Sequence, residues 1–125
     1  MKQQNNYLGW EKPGKALITG ASAGLGLCFA KQLAQKGFDL ELLARRKDRL
    51  QSVAQDLESA YAIRCEIIPT DLSDLDDIKK AADLIREMDD LDVLINNAGF
   101  ATIGYFADVP IEKSLRMLHL HITAV

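Results

Sequence analysis

The sequence has few cysteines, no long apolar run and no excess of basic residues, and each absence argues against a class of protein. Charged residues interrupt every apolar run before the roughly 20 residues of a membrane-spanning helix, and residues 1–12 lack the apolar segment of a secretory signal. Fifteen Lys and Arg against eighteen Asp and Glu give a net charge of −3, which argues against a nucleic-acid-binding surface. The two cysteines, Cys28 and Cys65, favour reduced thiols, with Cys28 packed in the core and Cys65 on a strand. We therefore expect a cytoplasmic protein with neither membrane nor nucleic-acid partners.

Apolar residues make up 48% of the 125 positions, which suffices for one folded domain, and they follow alternating strand and helix patterns. The predicted strands are Lys15–Thr19, Phe38–Ala44, Ile63–Ile68 and Leu91–Ile95. The predicted helices are Leu25–Lys36, Asp48–Ala60, one that Ser73 caps, and one from Pro110 or Ile111 to Val125. Strands that alternate with helices form parallel sheets, because each parallel return needs a crossover. We predict a doubly wound α/β sheet of the Rossmann type, with strand order 3-2-1-4 and helices on both faces.

A glycine-rich turn joins the first predicted strand to the first helix. Its glycines, Gly20, Gly24 and Gly26, follow the spacing G-x-x-x-G-x-G. Such a turn lets the chain leave the strand sharply, lets the backbone approach a pyrophosphate and lets the helix pack closely on the strand. The helix N-terminus adds free N–H groups and the positive end of a dipole. The pattern predicts a dinucleotide site; the alternative is a tight strand–helix turn that binds nothing.

The end of the second strand indicates which dinucleotide would fit. In dinucleotide folds an acidic residue about 20 positions after the turn accepts a hydrogen bond from the ribose 2′-hydroxyl of NAD. Here the strand ends at Ala44 and is followed by Arg45 and Arg46, while Glu41 lies inside the strand. Guanidinium groups pair with the 2′-phosphate of NADP, which a carboxylate would repel. We predict NADP(H) rather than NAD(H); the alternative is that the basic cluster is only a solvated helix start.

Two motifs carry a resemblance to a known family. The segment Thr19–Gly26, TGASAGLG, resembles the cofactor motif of the short-chain dehydrogenases/reductases, and Asn96–Gly99, NNAG, is similar to a second element of that family. The resemblance implies pyrophosphate contacts from Gly20, Ser22, Ala23, Gly24, Leu25 and Gly26. It implies that Asp71 and Leu72 face adenine, and that Asn97, Ala98 and Gly99 tie the central strands together beside the nicotinamide ribose. From the residues alone, NNAG is also an ordinary turn, and Asp71 is also an ordinary helix-entry residue.

The resemblance implies an oxidoreductase that transfers hydride between NADPH and a carbonyl or alcohol carbon of a small-molecule substrate. The family's proton donor is a Tyr followed four residues later by a Lys, a pattern that none of Tyr7, Tyr61 and Tyr105 provides. We therefore expect no catalytic residue in this chain. His121 stands where the family places an Asn, and it is either part of a proton relay or an ordinary helix residue. His119 and His121 do not share a helix face, so no metal site is expected.

Residues 1–13 are expected to form a polar arm, and residues 14–125 a dinucleotide-binding domain. The fourth strand would be an exposed apolar edge. The last helix has an apolar stripe that needs a partner surface, formed by Ile111, Leu115, Leu118, Ile122 and Val125. We therefore expect a homo-oligomer, and a domain truncated before its catalytic half and inactive by itself. The alternative is a complete, non-catalytic module for dinucleotide binding or oligomerisation.

Overall fold

Four parallel strands form one sheet in the computed structural model, which describes residues 11–125. The strands are β1 (Lys15–Thr19), β2 (Asp39–Ala44), β3 (Cys65–Pro69) and β4 (Leu91–Ile95), in the spatial order β3-β2-β1-β4. The helices are α1 (Gly24–Gln35), α2 (Lys47–Ala60), α3 (Leu75–Arg86) and α4 (Ile111–Leu118). The predicted α/β class and strand order are confirmed. Most of the predicted polar arm lies outside the described residues.

Both faces of the sheet are covered, because side chains that alternate along each strand enter two different cores. On one face, Ala16 of β1 belongs to a cluster with Leu33 of α1 and Leu50 of α2. On the other face, Leu17 of β1 belongs to a cluster with Ala81 of α3. Helices cover both faces, so the carboxyl ends of the parallel strands remain open at one edge of the sheet. The glycine-rich turn after β1 and the NNAG segment after β4 lie at this edge.

The N-terminus of α3 differs from the sequence prediction, which placed the cap at Ser73. The cap is Asp74, whose carboxylate accepts hydrogen bonds from the backbone N–H groups of Asp76 and Asp77, each at 3.0 Å. Ser73 lies one residue earlier, and its hydroxyl donates to Asp71 instead. Both residue types cap helices, so only the path of the chain after β3 decides between them.

The last helix is not a single α-helix as far as Val125. It ends at Leu118 and continues as a π-helical segment, His119–Thr123, in which Ala124 N donates to His119 O at 2.9 Å. An i to i+5 bond widens the turn and changes the direction of the side chains that follow it. The apolar stripe of this helix is exposed, with Ile122 at 68%.

Cys28 is exposed, so the expectation that it packs in the core is wrong. The buried residues of α1 share one face of the helix, and they are Gly26, Ala30, Leu33 and Ala34. Cys28 is two positions from both Gly26 and Ala30, and residues two apart on a helix point in different directions. Its side chain therefore projects from another face. Cys65 in β3 is half-buried, and burial raises the pKa of its thiol to about 12.

Candidate functional site

A cleft of about 340 Å³ lies at the carboxyl ends of the strands, where the loops that follow β1, β2, β3 and β4 meet. Ligands of open α/β sheets bind at this position. Every predicted cofactor-binding residue lines the cleft except Leu25 and Gly26. The lining includes Gly20, Ser22, Ala23 and Gly24 after β1, Arg45 and Arg46 after β2, Asp71 and Leu72 after β3, and Asn97, Ala98 and Gly99 after β4.

Two glycines of the glycine-rich motif, both in the first turn of α1, are required for different reasons. Gly24 has a φ of 58°, and a Cβ built on it would meet no described atom within 4 Å, so this position is open to a ligand. Gly26 is buried, and a Cβ there would collide with the carbonyl oxygen of Gly20 and lie 2.6 Å from Asn97 Nδ2. Gly26 therefore allows α1 to approach β1 closely, which explains why it packs beside the cleft and does not line it.

The N-terminus of α1 meets the cleft without a side-chain cap. Its N-cap residue, Ala23, makes no side-chain hydrogen bond, and the first turn contains no acidic residue. The N–H groups of the first turn and the positive end of the helix dipole are the groups that bind phosphates in such folds. This donor set and the open space beside Gly24 fit a pyrophosphate.

The side chains of Thr19 and Asn97 hold the ends of β1 and β4 together. Thr19 Oγ1 accepts hydrogen bonds from the backbone N–H groups of Asn97 and Ala98, each at 3.0 Å. In return, Asn97 Nδ2 donates to the carbonyl oxygens of Thr19 at 3.1 Å and Gly20 at 3.3 Å. This reciprocal pairing joins the NNAG segment to the glycine-rich turn, so two sides of the cleft have a fixed separation.

The end of β2 presents basic groups to the cleft and no carboxylate. Arg45 and Arg46 line it and are exposed, and within residues 11–125 neither takes part in an ion pair. Glu41 is only 2% exposed, and its Oε1 lies 3.2 Å from Nζ of Lys15, the first residue of β1. Burial raises the pKa of Glu41, and Lys15 opposes that rise only in part. Glu41 is therefore held toward the amino ends of the strands, away from the cleft.

A hydrogen-bond network around Asp71 holds the loop after β3. The Asp71 carboxylate accepts from the backbone N–H and the hydroxyl of Ser73, and from the guanidinium of Arg116 at 2.8 Å. Burial raises the pKa of Asp71, but the hydrogen bonds from Ser73 and the charges of Arg116 and Arg45 outweigh it, so that pKa lies below its ordinary value. Asp71 is thus an ionised and oriented acceptor at the cleft.

His121 contacts the segment that follows NNAG. Its Nε2 lies 3.2 Å from Phe100 N and 2.8 Å from Phe100 O, and a Cβ on Gly99 would come within 2.7 Å of its ring. Because Nε2 either accepts from the N–H or donates to the carbonyl, the tautomer decides which bond forms. His121 therefore packs the π-helical segment against a loop of the cleft without lining the cleft itself.

Sequence reasoning missed several residues at the cleft, which are Leu43, Ala44, Thr70, Ser73, Phe100 and Leu120. Five of these adjoin predicted residues, so extending each motif by one or two positions would have found them. Leu120 comes from the π-helical segment, and Arg116 reaches the β3 loop from α4. No local pattern marks these two, because their approach depends on how α4 packs against the rest of the fold.

Two further classes of site are absent from the part of the chain that the structure describes. Among residues 11–125, no three or more His, Cys, Asp and Glu side chains form a group that could hold a metal ion. In the same residues, no helix combines the length and the apolar character that crossing a bilayer requires.

Known proteins that resemble this chain were found by sequence. A family model described as short chain dehydrogenase matches residues 14–125. The chain is 32% identical over 114 residues to the very-long-chain 3-oxoacyl-CoA reductase of Anas platyrhynchos, and this match covers 88% of this chain and 36% of that protein. It is 46% identical over 93 residues to 11-beta-hydroxysteroid dehydrogenase-like 3 of Arabidopsis thaliana, and this match covers 74% of this chain and 30% of that protein. The chain thus spans about a third of the length of these two relatives.

Solved structures share the fold. A short-chain dehydrogenase from Sphingobium yanoikuyae, determined in complex with NADPH, is 38% identical with a TM-score of 0.85. The match covers 90% of this chain and 44% of that one. The similarity therefore includes nearly all of the described sheet and its helices.

Proposed function

Because the chain belongs to the short-chain dehydrogenase family, we propose that it forms the NADP(H)-binding part of an oxidoreductase. The reaction is transfer of hydride between NADPH and a carbonyl or alcohol carbon of a small molecule. Relatives named for 3-oxoacyl-CoA and hydroxysteroid chemistry agree with carbonyl and alcohol substrates as a class.

The observation that carries the choice of cofactor is the basic end of β2. Arg45 and Arg46 face the cleft without an ion-pair partner among residues 11–125. No acidic residue occupies this end of β2, since Glu41 lies inside the strand and is buried beside Lys15. A phosphate on the adenosine ribose would neutralise the positive charges of the two guanidinium groups. Each guanidinium can donate two parallel hydrogen bonds to such a phosphate. The NADPH bound by the Sphingobium relative supports the same choice.

The other walls of the cleft supply the remaining contacts of a dinucleotide. The N–H groups at the start of α1 would bind the pyrophosphate, with Gly24 allowing the close approach. Asp71 and Leu72 would contact adenine from the loop after β3. Asn97 and Ala98, held by Thr19, would set the position of the nicotinamide ribose. When bound, NADPH supplies the hydride.

A titration with two nucleotides tests this proposal. Isothermal titration of the wild-type chain should give tighter binding of NADPH than of NADH. Arg45→Ala should weaken NADPH binding by about tenfold, because a charge-assisted hydrogen-bonded pair is lost, and should leave NADH binding nearly unchanged. Arg49→Ala is the matched control, since Arg49 is an exposed arginine of α2 that does not line the cleft. An equal loss for both nucleotides would refute the 2′-phosphate role, and no binding of either nucleotide would refute the proposed function.

We also propose that the 125-residue chain binds NADPH without turning over a substrate. None of its three tyrosines is followed four residues later by Lys, so it lacks the proton donor that the family uses. Incubation of the chain and NADPH with ketone and aldehyde substrates, followed by loss of reduced-nicotinamide absorbance, measures this directly. Turnover at a rate above the protein-free control would contradict it.

The exposed apolar stripe along α4 and the π-helical segment favours a second candidate function, that of a binding and oligomerisation module. Its residues Ile111, Leu115 and Ile122 are 64%, 46% and 68% exposed. Contiguous exposed apolar surface marks interfaces. This candidate predicts a stable homo-oligomer, and light scattering that gives the mass of a monomer at micromolar concentration would argue against it.

A further inference from the structure

One arginine of α4 reaches across to the loop between β3 and α3, here called the β3–α3 loop (residues 70–74). Arg116 donates from Nη2 to Asp71 Oδ2 at 2.8 Å and to Ser73 Oγ at 2.8 Å, and from Nε to the same hydroxyl at 3.1 Å. Its guanidinium thus bridges a carboxylate and a hydroxyl that are 45 and 43 positions away in sequence. The planar arrangement of guanidinium donors suits this bridging, which a single ammonium group cannot reproduce.

Other contacts show that the β3–α3 loop depends on its neighbours for its shape. His119, three residues after Arg116 on the same side of the helix, places Nδ1 3.3 Å from Ser73 O. From the α3 side, Asp77 Oδ2 accepts from Asp71 N at 3.0 Å. The loop is therefore held from two sides, by α3 and by the last helix, in which Arg116 belongs to α4 and His119 to the π-helical segment that follows.

The same loop forms one wall of the candidate cofactor cleft. Thr70, Asp71, Leu72 and Ser73 all line it, whereas Arg116 does not. Arg116 donates hydrogen bonds to two of these lining residues, Asp71 and Ser73, so its contacts reach a ligand through them. The geometry makes Arg116 a positioning residue and not a contact residue.

We propose that Arg116 positions Asp71 and Ser73 for the adenine end of the bound dinucleotide, so that α4 determines the shape of the adenosine subsite. The inference rests on the proposed function, because it takes the occupant of this wall to be the adenosine half of NADP(H). It assigns to α4 a part in cofactor binding that no motif in the chain indicates. Both NADPH and NADH contain adenine, so the proposal requires that loss of Arg116 weaken the two alike.

The experiment compares Arg116→Ala and Arg116→Lys with a matched control, Arg86→Ala. Arg86 forms a surface pair with Asp83 at 2.9 Å on α3, so its loss removes an ion pair of which neither member lines the cleft. NADPH and NADH are titrated separately into each protein, below the thermal midpoint of the least stable variant. Arg116→Ala should bind both nucleotides about tenfold more weakly with their affinity ratio unchanged. Arg116→Lys, which keeps the charge but not the planar donors, should remain several-fold weaker than wild type, and Arg86→Ala should match wild type.

Backbone amide exchange in the ligand-free protein gives a second measurement that does not require binding. Ser73 N donates to Asp71 Oδ1 at 3.0 Å, so release of the Asp71 carboxylate should speed exchange of this amide by about tenfold in Arg116→Ala, and not in Arg86→Ala. Unchanged exchange at Ser73 in Arg116→Ala would overturn the proposal. If no nucleotide binds to the wild-type chain, that result refutes only the proposed function, and the exchange measurement still tests the role of Arg116.

Three binding results would also overturn the proposal. The first is an affinity of Arg116→Ala within twofold of wild type. The other two are a loss confined to NADPH and full recovery in Arg116→Lys, because each would show that only the charge of Arg116 matters.

Discussion

Replacing Thr19 with Val should destabilise the fold more than the removal of a buried hydroxyl usually does. The Thr19 hydroxyl accepts hydrogen bonds from two backbone N–H groups, those of Asn97 and Ala98, both at 3.0 Å. Thr19 is only 5% exposed, and Val has nearly the same shape, so the substitution removes the acceptor without leaving a cavity. Each partly buried amide left without a partner costs about 1–3 kcal/mol, and since water can reach part of this site we expect a combined loss of about 2–4 kcal/mol.

The assay is urea unfolding followed by far-ultraviolet circular dichroism, with the free energy of unfolding obtained by linear extrapolation. Thr19→Ser keeps the hydroxyl and removes one methyl group, so it should cost only about 1 kcal/mol. Thr70→Val is the matched control, because the buried Thr70 hydroxyl donates to Ile68 O at 3.0 Å and supports no amide in a neighbouring strand. That control should lose about 1 kcal/mol.

The comparison between the two Val variants decides the question. If Thr19→Val loses no more stability than Thr70→Val, the pairing of Thr19 with the NNAG segment does not hold β1 and β4 together. If Thr19→Ser loses as much as Thr19→Val, the methyl group and not the hydroxyl accounts for the effect.

Three further outcomes are expected. Gly26→Ala should lower the free energy of unfolding by about 1–3 kcal/mol in urea titrations, because its Cβ collides with the carbonyl oxygen of Gly20, and wild-type stability would contradict that packing. The pKa of Glu41 is raised on folding, so its contribution to stability is complete at low pH and decreases as the pH rises above 4.5, the ordinary pKa of Glu. Urea midpoints measured across pH should show this decrease for wild type and a smaller one for Glu41→Gln. Parallel curves for the two proteins would contradict the raised pKa of Glu41. Iodoacetamide at pH 8 should label the exposed Cys28 well before Cys65, whose thiol pKa is about 12, as peptide mass spectrometry would show; faster labelling of Cys65 would contradict its burial.

The strands, the helices and the segments that line the cleft could be predicted from sequence because each depends on residues close together in the chain. Short apolar runs separated by helical stripes are typical of a parallel sheet, and the right-handed crossover limits the strand orders. The glycine spacing after β1 and the arginines after β2 follow from local chemistry in the same way. All parallel strands of the sheet end at one edge, and the segments that follow them lie along one cleft there.

The positions that sequence could not supply depend on which face of a helix meets which loop. Cys28 differs from its buried neighbours only in its direction around α1, and Asp74 instead of Ser73 caps α3 because of the path that the chain takes after β3. The π-helical segment turns His121 toward Phe100, a contact between residues 21 positions apart. If a helix is rotated about its axis by one residue position, each of its side chains meets a different neighbour. The apolar periodicity of the sequence is almost the same for both rotations, so it cannot distinguish them.

The sequence by itself therefore determined the α/β sheet, the order of its strands and the turn that fits a pyrophosphate. Only the tertiary structure decided that Thr19 joins β1 to NNAG, that Glu41 is held by Lys15 away from the cleft, and that Arg116 supports Asp71. The physical reason is that periodicity and turn chemistry are local properties of the chain. A hydrogen bond between distant residues exists only when packing has fixed the position and the rotation of both elements.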